Sequence, residues 1–451
     1  MQFNGFIRLS ALALGIGGVL AAGSAQASGF MLKENSVKSQ GSSFSGTAVS
    51  EDDTSVVVNN PAQMTTFEGT TVKSDISVIS VDAEFQGGGF DVTGRPLTGG
   101  NGGNAGGITP VPALSVVHKF DNGAAVGAMI SAPFGLKTEY DDGWVGRYYA
   151  HTSDVRIVDL TLSGAIDLVP ERLSVGLGLV YSRADVTLSK SVDFGTALFA
   201  NPATRPLPFA RPQAADGFAE INGADNGVGY ILGVTLRPTD KLSIGLSHRS
   251  EIDYDLRGTA DWTVPANVRA VFNANPATAA RFNDGAAGAK LTTPSITTVS
   301  LGYQVTDAVK LTTTYSETGW SSLPEVRIDY DNADPDSVER FDWVDTRFMA
   351  LGGEWKYSDA LTFRAGYAYD ETPTTYAHRT PRLPDEDRKW LSLGASWQFS
   401  EALRFDLAYT HIKPDTPQIG IITPAAEGGQ RLFGEYDSSV NILGVAAEFS
   451  F

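Results

Sequence analysis

The sequence contains no cysteine, few histidines and comparatively little positive charge. Without cysteine in 451 residues, the fold cannot rely on disulfide bonds. The 34 lysine and arginine residues are outnumbered by 52 aspartate and glutamate residues, giving a net charge of −18, which argues against a nucleic-acid partner. The five histidines show no metal-ligand spacing, so no metal and no cofactor are expected.

Long apolar runs are also missing after the first 27 residues. No stretch approaches the roughly 20 apolar residues that a membrane-spanning helix needs. Residues 1–27 instead have the form of a signal peptide, because Arg8 precedes a short apolar segment and Ala25-Gln26-Ala27 has the pattern of a cleavage site. We therefore expect export and a mature chain that begins near Ser28.

After about residue 70, apolar and polar residues alternate with the period of a half-exposed strand. In VRIVDLTLSGAIDLV, Leu160 and Leu162 fall on one face, whereas Asp159 and Thr161 fall on the other. The segments LTFRAGYAYD and LRFDLAYTH repeat the pattern. One face of each predicted strand is apolar and rich in aromatic residues, and the other carries charges and hydroxyls.

Short turns and long loops alternate along the same region. Six turns and seven loops make thirteen connections and hence fourteen strands. The turns lie at residues 120–124, 168–173, 237–242, 305–311, 357–363 and 399–405, and the loops at about 82–109, 137–154, 191–226, 259–291, 331–344, 371–387 and 413–440. Such an asymmetry, with charged residues facing inward, is typical of an outer-membrane barrel, because a sheet in lipid must close on itself.

The sequence thus predicts an all-β fold: a transmembrane antiparallel β-barrel of 14 strands over residues 70–451, in the outer membrane of a Gram-negative cell. A soluble sandwich would leave the turn asymmetry unexplained. Phe451 ends the last strand in phase with Leu443 and Val445, as in the outer-membrane assembly signal. The assembly machinery, outer-membrane lipid and lipopolysaccharide are therefore expected partners, and we expect a monomer.

Residues 28–69 precede the barrel and do not alternate. Val56, Val57 and Val58 suit a strand, but Asn59-Asn60-Pro61 follows, and proline has no N–H for a ladder. We predict an N-terminal hatch, folded inside the lumen that a barrel of this width leaves. A disordered periplasmic tail is the alternative. Against it, the segment carries apolar residues able to pack: Phe30, Leu32, Phe44, Met64 and Phe67.

The segment SGFMLKENSVKSQGSSFSGTAVSEDDTSVVVNNPAQM (28–64) resembles the hatch of the outer-membrane long-chain fatty acid transporters, the FadL/TodX family. Three further segments resemble that family in the same order: SAPFGLKTEYDDGWVGRYYA (131–150), LSHRSEIDYDLRG (246–258) and FRAGYAYDETP…RTPRLPDEDRKWLSLGASW (363–397). The resemblance implies uptake of hydrophobic molecules, with long-chain fatty acids as the main expectation and aromatic hydrocarbons as the alternative.

The resemblance also implies a gate. Asn60-Pro61-Ala62 should lie next to an inward kink in the third strand, which opens a hole in the wall, and the kink would fall at Pro133-Phe134-Gly135. The residues agree, because Pro133 cannot donate to a ladder and Gly135 weakens one. Gly233, in the adjoining wall by resemblance, has no side chain to block such an opening.

Cargo binding is expected at two levels. Exposed apolar residues in outer loops often mark binding. The candidate cargo-binding residues of the loops, which could equally pack one loop against another, are Leu198, Phe199, Leu207, Phe209, Val271 and Phe272. In the lumen, Phe30 matches an early aromatic of the family. A carboxylate head group would need a basic partner, for which the candidates are Arg183, Lys190 and Arg340, although basic residues in barrel walls more often form ion pairs.

Two rival functions and one rival site fit less well. A lipid enzyme would need a catalytic triad, but the histidines are scattered and no Gly-x-Ser-x-Gly elbow is present, so the protein is not expected to be an enzyme. A general porin would need neither a hatch nor a broken wall. The acidic loop at residues 329–340 lacks the glycine and glutamate of a calcium loop.

Overall fold

The computed structural model describes residues 29–332, 334–424 and 428–451. The predicted signal peptide, residues 1–27, lies outside the described residues. In the described part of the chain, no helix has the length and apolar character to span a membrane.

The described residues form one antiparallel sheet. Its strands, in chain order, are β1 Thr70–Phe90, β2 Ile108–Lys119, β3 Ala125–Glu139, β4 Thr152–Val169, β5 Leu173–Asp193, β6 Asp216–Thr239, β7 Leu242–Arg249, β8 Ile252–Thr263, β9 Gly285–Thr293, β10 Ile296–Thr306, β11 Val309–Thr318, β12 Glu325–Tyr330, β13 Ser337–Arg340, β14 Thr346–Lys356, β15 Leu361–Asp370, β16 Arg388–Ser400, β17 Leu403–Pro414, β18 Gln418–Ile422 and β19 Arg431–Ser450.

Fourteen of these described strands close into a ring. β1 to β7 pair in sequence, β7 pairs with β10, and the ring continues through β11, β14, β15, β16, β17 and β19 back to β1. At the short-turn end, the backbones of Thr70 and Phe451 exchange two hydrogen bonds of 2.9 Å. The prediction of a fourteen-stranded barrel is confirmed.

The alternation of faces in the wall also matches the prediction. On β4, Leu160 and Leu162 are exposed on the outside, whereas Asp159 and Thr161 are buried on the inside. Outward aromatic side chains gather near the short turns, with contacts between rings such as Trp355 and Tyr357 at 5.3 Å. A girdle of this kind marks the membrane interface of an outer-membrane barrel.

The other five described strands extend the sheet beyond the ring on the long-loop side. β6 continues past β7 to pair with β8, which is followed by β9, β12 and β13, while β18 pairs with the upper part of β19. Residues 259–291 and 331–344, which the sequence predicts as long loops with a short helix within residues 264–282, thus also contribute strands to the sheet. Strand formation depends on the available neighbour more than on local composition, and the long β6 offers such a neighbour.

The described residues also contain short helices. The α-helices are α1 Val37–Gln40, α2 Val56–Asn59, α3 Phe194–Ala200 and α4 Ala266–Asn273, and the 3₁₀-helices are Thr47–Val49, Pro61–Thr66 and Trp320–Ser322. The three valines thus form a helical turn. Asn60 then caps the next helix, since its side-chain oxygen accepts from Ala62 N at 3.2 Å and Pro61 occupies the first helical position.

Residues 29–69 lie inside the ring, against inward faces on several sides. Ser43 Oγ bonds Ser392 Oγ on β16 at 2.8 Å, and Gly46 N donates to Thr314 Oγ1 on β11 at 2.7 Å. Thr65 Oγ1 lies 3.0 Å from Ser174 Oγ on β5. We call residues 29–69 the hatch.

Buried ion pairs fasten the hatch near the short-turn end of the wall. Lys73 Nζ on β1 lies 3.1 Å from Asp53 of the hatch and 3.1 Å from Asp75, and all three side chains are buried. On β17, Arg404 pairs with Asp52 at 2.7 Å. Because an unpaired buried charge is costly, removing one partner is strongly destabilising.

Candidate ligand pathway

The pairing of the third strand is irregular within the segment where the sequence predicts a kink. β3 pairs with β4 in continuous register except between Ser131 and Phe134, where two residues of β3 oppose the single residue Val158. One of those two is Pro133, which has no N–H to give. Such a bulge bends its strand and releases backbone groups from the ladder.

The start of the hatch takes up the released groups. Leu32 N donates to Pro133 O at 2.7 Å, and Gly135 N donates to Phe30 O at 2.8 Å. Met31 and Phe134 form an isolated antiparallel bridge between them. The kinked edge of β3 is therefore paired with the hatch.

The Asn-Pro-Ala turn lies elsewhere than the resemblance implied. Asn60 Nδ2 donates to Thr235 Oγ1 on β6 at 3.1 Å, and a Cβ built at Gly233 would overlap Asn60 Oδ1. Pro61 and Ala62 approach Gly176 on β5 in the same way. Gly233 thus allows the hatch to touch the wall at β5 and β6, whereas residues 30–32 contact the kink.

The pairing between β2 and β3 is interrupted along the kink and beyond it. Their pairing runs from Lys119↔Ala125 to Leu114↔Ile130 and stops there, although β2 stays paired with β1 up to Ile108. The two sides meet again where Glu139 N donates to Ala105 O at 3.1 Å. We call the stretch between the pair Leu114↔Ile130 and this hydrogen bond the window.

A cavity of about 110 Å³ borders the β3 side of the window, at Ser131 and Pro133. Met31 and Leu32 of the hatch line it on the inside, and the lining also contains polar and charged side chains, among them Lys33 and Arg249. We call it the window cavity.

A second space, of about 70 Å³, is lined by Phe30. The Phe30 ring is 4% exposed and packs at centroid distances of 5.0 Å from Trp320, 5.7 Å from Phe134 and 5.8 Å from Trp343. We call this space the lumen pocket. Its lining is largely apolar and includes Leu136, Val155, Val186, Leu291, Leu323 and Leu383.

A third cavity, of about 290 Å³, lies among the outer strands and loops and is called the outer cavity. Leu188, Glu339 and Arg382 line both it and the lumen pocket. Glu339 lies 3.5 Å from Arg382 Nε and 3.8 Å from Lys190 Nζ. Burial alone would raise the pKa of Glu339, but the attraction of Arg382 and Lys190 outweighs it and lowers the pKa.

Arg382 is the basic residue that the sequence did not single out. It is buried, and its Nη1 donates to Ser153 Oγ at 3.2 Å, while its Nε has no hydrogen-bond partner. Its position within RTPRLPDEDR, part of a segment that resembles the family, could have indicated a functional role, but residues 371–387 were interpreted as a variable loop.

Two of the three basic candidates do not lie in the lumen. Arg183 shares the outward face of β5 with Tyr181, is half-exposed and pairs with Asp185 at 3.0 Å. Arg340 is exposed on β13, where its neighbour Glu339 takes the inward position. Both expectations were wrong, because the strand period decides which residue faces inward. Lys190 does line the outer cavity.

The predicted loop groove is largely an internal cluster. Leu198 and Phe272 are buried with Phe194 and Val268, and three further candidates are half-buried at the edge of the cluster: Leu207, Phe209 and Val271. Phe199 is half-buried outside the cluster, with the Arg205 guanidinium over its ring. None of the six is among the residues that line the outer cavity. The cluster reaches the cavity through Phe282, whose ring is 5.0 Å from Phe194.

The acidic loop is held by protein groups. Asp334 accepts from Arg281 Nε at 3.2 Å and from Phe282 N at 2.8 Å. Within the described ranges, no group of three or more histidine, aspartate or glutamate residues is arranged to hold a metal ion.

Fold and site together define an outer-membrane barrel that holds a hatch in its lumen and has an unpaired stretch of wall between β2 and β3. A family model described as "Outer membrane protein transport protein (OMPP1/FadL/TodX)" matches residues 18–451. The chain belongs to that family and is an outer-membrane protein.

Relatives with curated names support the same assignment. The chain is 30% identical over 398 residues to outer membrane protein P1 of Haemophilus influenzae, covering 82% of each chain. It is 29% identical over 385 residues to the long-chain fatty acid transport protein of Salmonella typhi, covering 84% of this chain and 85% of that one. Both names are those of outer-membrane or transport proteins, not of enzymes.

A solved structure shares the fold. The crystal structure of a Pseudomonas aeruginosa FadL homologue superimposes with a TM-score of 0.88 at 24% identity, covering 94% of this chain and 100% of that chain.

Proposed function

We propose that this protein is an uptake channel for hydrophobic molecules, above all long-chain fatty acids, and that its cargo leaves sideways through the window. The observation that carries the proposal is the succession of spaces: the outer cavity, the lumen pocket beside Phe30 and the window cavity behind the kink. The outer cavity and the lumen pocket share three lining residues, and the consecutive residues Phe30 and Met31 line the lumen pocket and the window cavity respectively. The window cavity borders an unpaired stretch of wall.

The physical need for such a path comes from the cargo. Each methylene exposed to water costs about 0.8 kcal/mol, so a long acyl chain strongly prefers apolar surroundings throughout its passage. The lumen pocket offers them. A sideways exit then delivers the chain into lipid without a fully hydrated state, and no energy source is required if the cargo moves down its gradient.

The outer cavity supplies a partner for a carboxylate. Lys190 and Arg382 share Glu339, and an incoming carboxylate of the same charge can replace that glutamate. The Nε of Arg382 is ion-paired with Glu339 at 3.5 Å but makes no hydrogen bond, so a carboxylate that approaches it more closely adds a charge-assisted hydrogen bond, which is among the stronger ones. We infer that the head group binds here while the acyl chain enters the lumen pocket.

The head-group assignment is tested by Arg382→Gln combined with Lys190→Gln. We expect weaker binding of a labelled long-chain fatty acid to the purified barrel and slower uptake by cells that lack their own transporter. Arg183→Gln is the matched control, because its guanidinium lies on the outer face. Equal affinity in all three proteins would contradict the assignment.

The exit is tested at Gly233. Gly233→Glu puts a side chain where Asn60 and Pro61 press against the wall, so the hatch turn must move. We expect reduced uptake from a barrel that still folds, as judged by its heat-modifiable mobility in gels. Unchanged uptake would argue against a role for the seated hatch in transport.

A second cargo is favoured by one observation, the aromatic surround of Phe30 formed by Phe134, Trp320 and Trp343. Flat rings stack favourably on such surfaces, so aromatic hydrocarbons are the alternative cargo. Uptake of toluene that is unaffected by Arg382→Gln, without uptake of fatty acids, would select it. We further propose that the protein is no enzyme; ester hydrolysis by the pure protein would overturn this.

A further inference from the structure

The edge of β2 that borders the window contains two prolines at alternate positions, Pro110 and Pro112. Backbone N–H groups of a strand point alternately to its two neighbours. The hydrogen bonds at the two ends of β2 therefore show toward which neighbouring strand the backbone groups of each β2 residue point.

Odd-numbered residues of this region face β1. Lys119 N donates to Gly69 O, next to β1, at 2.9 Å, and Gly107 O accepts from Val81 N of β1 at 2.9 Å. Phe120 N, one residue further on, donates instead to Ala124 O, next to β3, at 2.8 Å. Even-numbered residues of β2 therefore direct their backbone groups toward β3.

Pro110 and Pro112 are even-numbered, so their nitrogens face the window. Their pairing with β1 is unbroken, opposite Val78 and Ile76. Those two β1 residues are exposed on the outer face, which places the prolines at the depth of lipid-facing apolar residues. Proline has no N–H, so of the even-numbered β2 residues along the window only Ile108 keeps a donor, and the rim lacks the two donors that other residues would present at positions 110 and 112.

We propose that Pro110 and Pro112 hold the window open by making its β2 rim unable to pair. An unpaired N–H in lipid is costly, and a rim with two such donors would be driven to close on β3. The opposite rim solves the same problem differently, since Pro133 O and Gly135 N are bonded to the hatch. The inference rests on the sideways exit proposed above.

The test restores the donors with Pro110→Ala/Pro112→Ala. Because the chain has no cysteine, spin labels can be placed at Ile108→Cys and Lys137→Cys, whose native side chains are exposed on the two sides of the window. We expect the label distance to shorten as the backbones approach the spacing of paired strands, about 4.8 Å, and most fatty-acid uptake to be lost.

The control is Pro206→Ala/Pro208→Ala, which makes the same change at the same spacing in exposed loop positions. We expect neither the distance nor the uptake to change there. An unchanged distance in the β2 variant overturns the rim inference whatever the uptake. A shortened distance with normal uptake supports the rim inference but refutes the sideways exit.

Folding of the double variant is checked by gel mobility. If it does not fold, Pro112→Ala alone places one new amide next to the last pair, Leu114↔Ile130. We expect that amide to be protected from hydrogen exchange by pairing with β3. Exchange at the rate of an open amide would overturn the inference.

Discussion

Phe30 is the residue through which the packing of the hatch reaches the kink. Its ring is 4% exposed and contacts three aromatic rings, while its carbonyl accepts from Gly135 N at 2.8 Å. Truncating a buried phenylalanine to alanine costs about 3–5 kcal/mol. Phe30→Ala should therefore lower by that amount the free energy that keeps residues 30–32 on β3.

Hydrogen exchange measures this free energy directly. Each loss of about 1.4 kcal/mol is a factor of ten in an equilibrium constant, so the amides of Leu32 and Gly135 should exchange roughly a hundredfold to several thousandfold faster. The measurement is made on purified barrels in detergent. Phe199→Ala, in an outer loop, is the control and should leave both amides protected.

Unchanged protection of the Leu32 and Gly135 amides in Phe30→Ala would contradict this expectation. It would mean that the two backbone hydrogen bonds hold the kink without the aromatic contacts. Faster exchange at amides throughout the wall would instead reveal a general loss of stability, and the argument that the effect is local would fail.

Three further predictions concern the hatch. Lys73→Met leaves Asp53 unpaired and should cost about 3–5 kcal/mol in urea unfolding, against at most about 1 kcal/mol for Lys413→Met in an exposed pair; equal losses would contradict this. Burial raises the pKa of Glu34 from 4.5 to about 7, so the folded hatch keeps a proton that the unfolded chain loses. Its stability should fall by about 2–3 kcal/mol between pH 5 and 8, and Glu34→Gln should flatten this dependence in exchange measurements. Finally, planar-bilayer recordings should show little steady conductance until residues 28–62 are deleted; a large conductance in the intact protein would favour a general porin.

The wall was predictable because its strands obey a local rule. A period of two assigns every side chain to lipid or lumen, and this placed Asp159 inward and Leu160 outward before any pairing was known. The kink at Pro133 was also predictable, since the missing N–H is a property of one residue.

The outer cavity was not predictable, because it depends on residues far apart in the chain. Arg382 meets Glu339 and Lys190 only after three separate outer segments have folded together. The helical turn at Val56–Asn59 could not be predicted either, because its conformation depends on packing inside the ring. Its valines favour strands, but α2 packs inside the ring, where the inward wall leaves no strand edge for it to join.

The role of the two β2 prolines at the window could not be predicted from the sequence without the register of the strands. Two prolines in β2 are visible in the printed sequence, yet the side of the strand they face depends on its pairing with β1. Pro133 and the hatch then complete the opposite rim. Because Leu32 and Phe30 bond the stretch of β3 that is unpaired with β2, the hatch and the β3 rim of the window form one hydrogen-bonded unit. Moving residues 30–32 away from β3 would break the hydrogen bonds of Pro133 O and Gly135 N beside the lipid. We therefore expect that cargo binding at Phe30 and the width of the window change together.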